Sequence, residues 1–352
     1  MMKQYREARD SLENETLLLF RLGDFFEMFE RDAERGAALL GITLTKRHEM
    51  PMAGIPSHAA DGYITKLLNS GHKVAICDQL EAPQTGKLVK RGITRILTPG
   101  TVLEDRQLDA GHNHFLLAID FDKRGARASW LDLSTGKFVL AQSESPLDFL
   151  SVLSALSPRE ILVPEGMDKR VSNLADGSLL AQELDRLLTG VTRTDRPDFD
   201  FELRSGAREV TESLGVLNLE GFGIDLEHLG LGPAGALLIY AEDVLKGKPG
   251  NIRRIEEYRT GQSLLLDPAT QRNLEVFKTS AQTRKGSLLD TMDQTVTSAG
   301  ARLLESYLTS PERDLAEIHR RQAYVSEFCK APAAVDEVST ILKTGSDLER
   351  IL

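Results

Sequence analysis

Cysteine is scarce in this 352-residue sequence, which holds only Cys77 and Cys329, far apart and without a CxxC pair. Disulfide frameworks and structural zinc sites need several cysteines or histidines at short spacing, so neither is predicted. We expect both thiols to be buried and inert. Long apolar runs are lacking too: no stretch approaches the ~18 residues that span a bilayer, and the charged opening MMKQYREARDSLENE is unlike a secretory signal. We therefore expect no membrane association and a cytoplasmic location.

Net positive charge is also lacking, because 53 Asp and Glu outnumber 43 Lys and Arg and give a balance of −10. Phosphate binding draws on lysine and arginine, so the total at first disfavours a nucleic-acid partner. The charge is unevenly distributed, since residues 1–100 hold 14 basic against 13 acidic side chains. The excess acidity lies after them, and a case for nucleic-acid binding must rest on particular residues.

The length predicts two or three domains, because compact units usually run to ~100–200 residues. Strand and helix patterns alternate over residues 1–103, and the polar residues 104–113 are typical of a linker. A second α/β unit is predicted over 114–247, with the stretch KGKPG at 246–250 as its boundary. Residues 251–352 carry helix-period apolar positions and predict an all-α unit.

The sequence predicts individual strands and helices in the first two units. In the first unit they are strands at 16–22, 42–45, 74–77 and 94–97, a helix at 31–40 closed by Gly41, and a helix capped by Ser57. In the second unit they are strands at 115–120, 126–133, 137–141 and 160–163, with helices at 146–156, 179–188 and 234–245. This second order suggests a ribonuclease-H-like sheet.

The third unit is predicted to have a short strand-like stretch at 263–266 and helical positions at 275–277, 288–289, 299–308 and 315–328. Residues 346–352 begin a capped amphipathic helix of less than two turns. Because so short a helix is unstable alone, we expect the natural protein to continue beyond it.

The first strand leads into the sequence LLLFRLGDFFEMFERDA, in which Gly23-Asp24 interrupts the apolar run. If the backbone stays extended after this break, Phe25 and Glu27 share one face and Phe26 points to the other. An exposed aromatic ring can stack on bases, and wedging it into a base step costs least where pairing is already defective. Glu27 beside phosphates is tolerable only if it accepts a hydrogen bond from a base edge or is itself protonated.

Burial is the alternative interpretation of this cluster. Four large apolar residues within five positions usually form core, so periodicity alone favours burial of Phe25, Phe26, Met28 and Phe29. What favours exposure of Phe25 is a resemblance. The string LLLFRLGDFFEMFERDA, followed by LTKR, PMAGIPSHA, KVAICDQLE and RILTPGT, resembles the mismatch-binding domain of the MutS family in order and approximate spacing.

The resemblance extends over the whole chain. The stretch GFGIDLEHLGLGPAGALLIYAED resembles the end of that family's connector domain, and LLLDPATQRNLEVF, LDTMDQTVTSAGARLLESYL and GSDLERIL resemble its helical core. It implies a mixed α/β mismatch-binding domain (1–103), a ribonuclease-H-like connector domain (114–247) and the start of an incomplete all-α core domain (251–352).

By this resemblance Phe25 matches the stacking phenylalanine, and Glu27 the base-contacting glutamate, of the family's Phe-x-Glu motif. Lys46 and Arg47 match a basic pair beside the DNA, for which solvated surface charge is the alternative. The loop between Arg47 and Met50 is short for the family. The remaining residues implied to bind DNA are Leu22 and, in a loop approaching the minor groove, Met52, Ala53 and Gly54.

The function implied is recognition of mismatched or looped-out bases in double-stranded DNA, within a widened minor groove, to initiate repair. A MutL-type partner at the connector domain, a homodimer for the complete protein and a nucleoid-associated cytoplasmic location are also implied. No G-x-x-x-x-G-K-[ST] loop occurs in the sequence. We therefore expect no enzyme activity, cofactor or metal in this chain, with ATP and Mg²⁺ confined to an ATPase domain elsewhere in the protein.

Two other functions compete with this one. Asp120 and Asp132 end strands of the ribonuclease-H-like unit, where nucleases of that fold hold metal-binding carboxylates, and Asp122 and Asp225 are possible additions. Nothing in the sequence shows these side chains converging, and loop solvation is the commoner outcome. The other alternative is a protein-interaction scaffold that uses residues 114–250 as a docking surface.

Overall fold

The computed structural model describes residues 1–81, 89–103, 108–174, 177–259, 261, 263–264, 266–281 and 283–351. Two six-stranded sheets, each with helices packed against it, are followed by a mainly helical region. The predicted mixed α/β architecture with a helical C-terminal part is confirmed. Within the described ranges, no helix has the length and apolar character needed to cross a bilayer.

The first sheet has the strand order β3-β4-β2-β1-β5-β6. Only the contact between β1 and β5 is parallel, and the other neighbours run antiparallel. The strands are β1 (Leu17–Leu22), β2 (Phe25–Phe29), β3 (Thr45–Arg47), β4 (Met50–Pro56), β5 (Val74–Gln79) and β6 (Arg91–Leu97). The helices are α1 (Met2–Asp10), α2 (Glu30–Leu40) and α3 (Ala60–Asn69), the last preceded by a 3₁₀ turn, Ser57–Ala59.

Alternation along the strands gives this sheet two apolar faces. One packs against α2 and α3 and contains Leu19, Met28 and Ile55. The other contains Phe20 and Phe29 and is covered by α1, whose Tyr5 ring lies edge-on to both phenylalanines at 5.6 and 5.0 Å. At the end of this second face nearest the turn between β1 and β2, Phe25 is exposed.

Several predictions for this unit are confirmed and others are wrong. The strand at 16–22 and the helix at 31–40 are present, and Gly41 ends that helix with φ +69. The predicted strand at 42–45 is wrong, because pairing begins only at Thr45. The cap by Ser57 is also wrong, since its side chain makes no capping hydrogen bond and α3 starts three residues later.

The second sheet has the order β11-β10-β7-β8-β9-β12. An antiparallel meander, β7 (Phe115–Asp122), β8 (Gly125–Asp132) and β9 (Lys137–Ser143), is flanked by parallel strands. This confirms the predicted ribonuclease-H-like arrangement. The parallel strands are β10 (Glu160–Pro164), β11 (Thr192–Arg196) and β12 (Glu256–Tyr258); the helices are α4 (Pro146–Ala155), α5 (Met167–Ser172), α6 (Gly177–Leu188), α7 (Leu203–Leu214) and α8 (Leu231–Leu245).

Strands β11 and β12 and helix α7 were not predicted. Strand β12 follows the predicted boundary at 246–250, so the second sheet draws on residues beyond 247. Ile252 and Ile255 belong to the same apolar core as α8. Pairing with β9 supplies the backbone hydrogen bonds of β12, which has too few apolar residues to show a strand pattern of its own.

The helical region begins after β12 with α9 (Pro268–Asn273) and α10 (Leu288–Met292) and continues through α11 (Ser298–Thr309), α12 (Leu315–Lys330), α13 (Pro332–Leu342) and α14 (Leu348–Ile351). The helix predicted at 275–277 is wrong, because α9 ends at Asn273 and Glu275 has φ +51. Of the strand-like stretch at 263–266, Ser263 forms a single bridge with Glu312, and residue 265 lies outside the described residues.

Cys77 is buried as predicted, whereas Cys329 is exposed and that prediction is wrong.

The segment that joins the two sheets is held by the helical region. Residues 104–107 of the predicted linker lie outside the described residues, but Arg302 donates to the carbonyl of Ala110 at 2.9 Å. Arg350 donates to the carbonyls of Asp109 and His112 at 3.1 and 3.0 Å. The helical region therefore contacts the connecting segment at residues 109–112.

Candidate nucleic-acid interface

Strands β1 and β2 form a hairpin with Gly23-Asp24 as its two-residue turn. Leu22 pairs directly with Phe25, so the turn places Phe25 at the first position of β2. Gly23 has φ +58, in the left-handed region that glycine adopts without a steric cost. A glycine at the first turn position is typical of the tight hairpins whose twist matches that of the flanking strands.

Burial along β2 alternates as the sequence predicts, but it also changes along the strand. On the face away from α1, Phe26 and Met28 are buried in the core. On the face shared with α1, Phe29 is fully buried, the Glu27 side chain is 18% exposed and Phe25 is 46% exposed. Burial of Phe26, Met28 and Phe29 fits the core interpretation, whereas Phe25 is exposed and lies outside the apolar core under α1.

Strand β4 completes this part of the face. Glu27 lies opposite Gly54, and Phe25 lies opposite Pro56. A methyl group added at Gly54 would lie 3.7 Å from Glu27 Cγ and 3.9 Å from Phe25 Cδ1, so the missing side chain leaves room beside both residues. We call the surface formed by Phe25, Glu27, Arg47 and Gly54 the hairpin face.

Two corrections concern the residues predicted to form a loop near the DNA. Met52, Ala53 and Gly54 lie within strand β4 and not in a loop. Ala53 pairs with Met28 and points into the α2 side of the sheet, where it is 1% exposed. Its side chain cannot contact DNA, because strand alternation directs it away from Gly54. Met52 lies at the margin of the α1-covered core, as does Leu22.

The basic pair at the β3–β4 hairpin is divided between two sides. Arg47 pairs with Met50 across a two-residue turn, and its guanidinium lies 3.3 Å from the Glu27 carboxylate. Lys46 pairs with Pro51 and therefore lies on the opposite side of β3, with its exposed amine 3.9 Å from Glu49. Only Arg47 belongs to the hairpin face.

Burial and charge act on Glu27 in opposite directions. Partial removal from water raises the pKa of its carboxyl above the ordinary value, because burial disfavours the ionised form. The Arg47 guanidinium lowers the pKa by Coulomb attraction and by a hydrogen bond, but it does not cancel the effect of burial. Glu27 is therefore easier to protonate than a solvated glutamate.

Sequence reasoning missed two arginines that support the hairpin. Arg21 donates to the Gly23 carbonyl at 2.6 Å and lies 5.2 Å from the centre of the Phe26 ring. Arg91, at the start of β6, donates to the Arg21 carbonyl at 2.8 Å. Both place positive charge near the turn. Strand alternation could have indicated Arg21, whereas the position of Arg91 depends on the pairing of β5 with β6.

Asp120 and Asp132, the two strand-end carboxylates considered for a nuclease, do not form one site. Asp120 is buried and ion-paired with Arg127 and Arg170. Asp132 pairs with Phe115 at the far end of the same two strands and accepts hydrogen bonds from the backbone nitrogens of His114 and Ser134. Among the described residues, no group of three or more His, Cys, Asp or Glu side chains is placed to hold a metal ion.

Comparisons with known proteins agree with the three-part architecture. Family models described as MutS domain I, MutS domain II and MutS domain III match residues 1–106, 114–253 and 269–352. Proteins named DNA mismatch repair protein MutS are similar over the whole chain. Those of Myxococcus xanthus, Symbiobacterium thermophilum and Parabacteroides distasonis are 40%, 39% and 36% identical over 357, 362 and 359 residues. The chain spans 39–40% of the length of these relatives.

Proposed function

Because this chain belongs to the MutS family, we propose that it binds double-stranded DNA at mismatched or looped-out bases through the hairpin face. The observation that carries the proposal is the exposure of Phe25. Phe25 is 46% exposed at the turn end of the β1–β2 hairpin, while the neighbouring Phe26 is buried. When a binding partner covers an exposed apolar ring, the ring is removed from water and the free energy of the complex is lowered.

A base step in DNA is a suitable partner for this ring. Stacking on a base contributes ~1–3 kcal/mol, whereas opening a base step costs a few kcal/mol. Opening costs least where the pair is mismatched or a base is extra. Insertion of Phe25 therefore favours defective sites over intact duplex.

Glu27 supplies the second part of the mechanism. It lies two residues from Phe25 on the same face, where it can accept a hydrogen bond from the edge of a displaced base. Its raised pKa also lets it take up a proton and donate to a base acceptor. The absence of a side chain at Gly54 leaves room for the base beside Glu27.

Other residues assist binding without selecting the site. Lys46, Arg21 and Arg91 provide positive charge that attracts phosphates of any sequence. Met52 and Leu22 border the hairpin face and support its apolar floor. Ala53 is omitted from this set because it is buried.

The family also suggests partners for the other parts of the chain. We propose that the unit matched by MutS domain II contacts a MutL-type protein. We further propose that the complete protein forms a homodimer. The hairpin face lies in the unit matched by MutS domain I.

Equilibrium binding of the 352-residue chain to a G·T duplex and to the matched duplex tests the proposal. Phe25→Ala should lower the affinity for the G·T duplex about tenfold or more, as expected for the loss of one stacking contact. Binding to the matched duplex should change little. Phe199→Ala, at a phenylalanine that is 63% exposed in the second unit, serves as the matched control. Equal losses on both duplexes would show that Phe25 only supports the fold.

Glu27→Ala tests the second part of the mechanism in the same assay. Removing the carboxylate should narrow the difference between G·T and matched duplex, with tighter binding to the matched one because a repulsive charge is lost. An unchanged ratio of affinities would contradict a role for Glu27 in inspecting the base.

A further inference from the structure

Arg47 and Glu27 form an ion pair on the hairpin face, and this pair occupies the carboxylate that is proposed to contact a displaced base. A residue that inspects bases must offer a free carboxylate, yet here Arg47 Nη1 donates to Glu27 Oε2 at 3.3 Å. Across the described part of the chain, Arg47 is the only side chain that forms a hydrogen bond with this carboxylate. The arginine side chain is 43% exposed, so little packing holds it in place.

The path of the arginine explains how the pair can form and break. Arg47 is on β3, and strand β4 lies between it and Glu27. Arg47 is aligned with Met50, whereas Glu27 is aligned with Gly54, so the guanidinium reaches diagonally across β4. Gly54 has no side chain to obstruct the contact. A partly exposed pair of this kind contributes little to stability, so a competing donor can displace the guanidinium.

Intact duplex offers few such donors. The minor groove of paired DNA presents mainly the acceptors adenine N3 and thymine O2, with the guanine amino group as the exception. An unpaired carboxylate held against these acceptors is repelled, and a carboxylate neutralised by a guanidinium is repelled less. A mismatched base that leaves the stack exposes donors on its pairing edge, which can replace the guanidinium.

We infer that Arg47 is a specificity-determining residue that acts through Glu27. When matched DNA is bound, Arg47 keeps the Glu27 carboxylate in the ion pair. When a base is displaced, a donor on the edge of that base replaces Arg47 as the partner of the carboxylate. This inference rests on the proposed function, and it gives Arg47 a role different from that of a phosphate contact. By shielding Glu27 on intact duplex, Arg47 raises the affinity for matched DNA and thereby lowers the ratio of mismatched to matched affinity.

Arg47→Met removes a positive charge beside the DNA, yet it should widen the ratio of mismatched to matched affinity by about two- to fivefold, the range expected for a partly exposed ion pair. The matched duplex loses more affinity, because it then meets an unshielded carboxylate. Lys46→Met removes the same charge from the adjacent position on the other side of β3. It should lower both affinities equally and leave the ratio unchanged.

A double-mutant cycle with Glu27→Gln shows whether Arg47 acts through the carboxylate. Binding of G·T and matched duplexes is measured by fluorescence anisotropy at fixed salt for the wild type, each single variant and the double variant. Once Glu27 is replaced by glutamine, Arg47→Met should no longer alter the ratio. An unaltered or narrowed ratio in Arg47→Met alone, or the same widening in Lys46→Met, would overturn the inference.

Phe25→Ala separates this inference from the proposed function. If Phe25→Ala leaves the discrimination of the wild type intact, the proposed function itself fails. If Phe25→Ala abolishes discrimination while Arg47→Met leaves the ratio unchanged, the hairpin face reads mismatches but Arg47 is only a phosphate contact.

Discussion

At the scale of single residues, Glu27 lies where it is proposed to contact a base, and its ionised form lowers the stability of the fold. Its carboxyl group is partly withdrawn from water, and its pKa is raised because burial outweighs the attraction of Arg47. The folded protein thus binds a proton at this group more tightly than the unfolded chain does. The ionised form therefore lowers stability above the folded-state pKa, and this penalty disappears as the pH falls below the ordinary glutamate value of ~4.3.

Glu27→Gln should accordingly raise the free energy of unfolding at about pH 7, and this gain should shrink towards about pH 4. Urea unfolding of both proteins at the two pH values measures the difference. Glu34→Gln changes an exposed carboxylate in the same domain and controls for the general effect of charge. If the gain at neutral pH persists unchanged in acid, the ionisation of Glu27 is not its cause.

At the scale of secondary-structure elements, the contact between α7 and α8 is set by glycines. A methyl group added at Gly206 would lie 2.0 Å from the Leu231 carbonyl oxygen, and one at Gly235 would lie 2.4 Å from Gly206 Cα. These obstacles are backbone atoms, which cannot move aside as a side-chain end can. The two helices therefore approach each other closely only because both positions lack a side chain.

Gly206→Ala should lower the free energy of unfolding by about 1–3 kcal/mol or more, the usual cost of overpacking a core. Gly62→Ala provides the opposite case, because Gly62 lies on the solvent-exposed side of helix α3, with no atom within 4 Å of the added methyl. That variant should be more stable by about 0.5–1 kcal/mol, from the better helix propensity of alanine. Chemical denaturation of both variants distinguishes steric overlap from propensity, and equal shifts would contradict the steric argument.

The sequence predicts features that depend on local strand geometry, but not features that depend on the pairing of distant strands. Alternation after Gly23-Asp24 was sufficient to place Phe25 and Glu27 on one face, because strand geometry is local. It could not predict β3 or the pairing of Arg47 with Glu27, since three residues give no periodic pattern and the contact depends on the β4 register. The prediction of a loop at residues 52–54 was wrong for the same reason. The family motif identified these positions, but their pairing with β2 and β3 determines that they form a strand.

At the scale of the whole molecule, the first two units are joined through a buried carboxylate. Glu160 on β10 is fully buried and accepts hydrogen bonds from Thr98 Oγ1 and from the Gly100 backbone nitrogen of the first unit. Within its own unit it accepts from Thr194 Oγ1 at 2.7 Å and from the Tyr240 hydroxyl at 2.6 Å. Burial and the adjacent negative charge raise the pKa of Tyr240, so this hydroxyl stays protonated as a donor.

Glu160→Ala should leave these buried donors unpaired and lower the free energy of unfolding by about 1–3 kcal/mol. Amide hydrogen exchange should also rise locally at Gly100, whose nitrogen loses its acceptor. Glu165→Ala, at an exposed position just after the same strand, is the matched control. Unchanged exchange at Gly100 in Glu160→Ala would show that the junction does not depend on this carboxylate.

Insertion of Phe25 into the base stack is the central claim, and a fluorescent base next to the mismatch reports it most directly. A G·T duplex with 2-aminopurine beside the mismatch changes its emission when the stack around the analogue is opened. Saturating wild-type protein should change this emission, and saturating Phe25→Ala, bound to the same extent, should leave it close to that of free DNA. The same emission change with both proteins would contradict insertion of the ring.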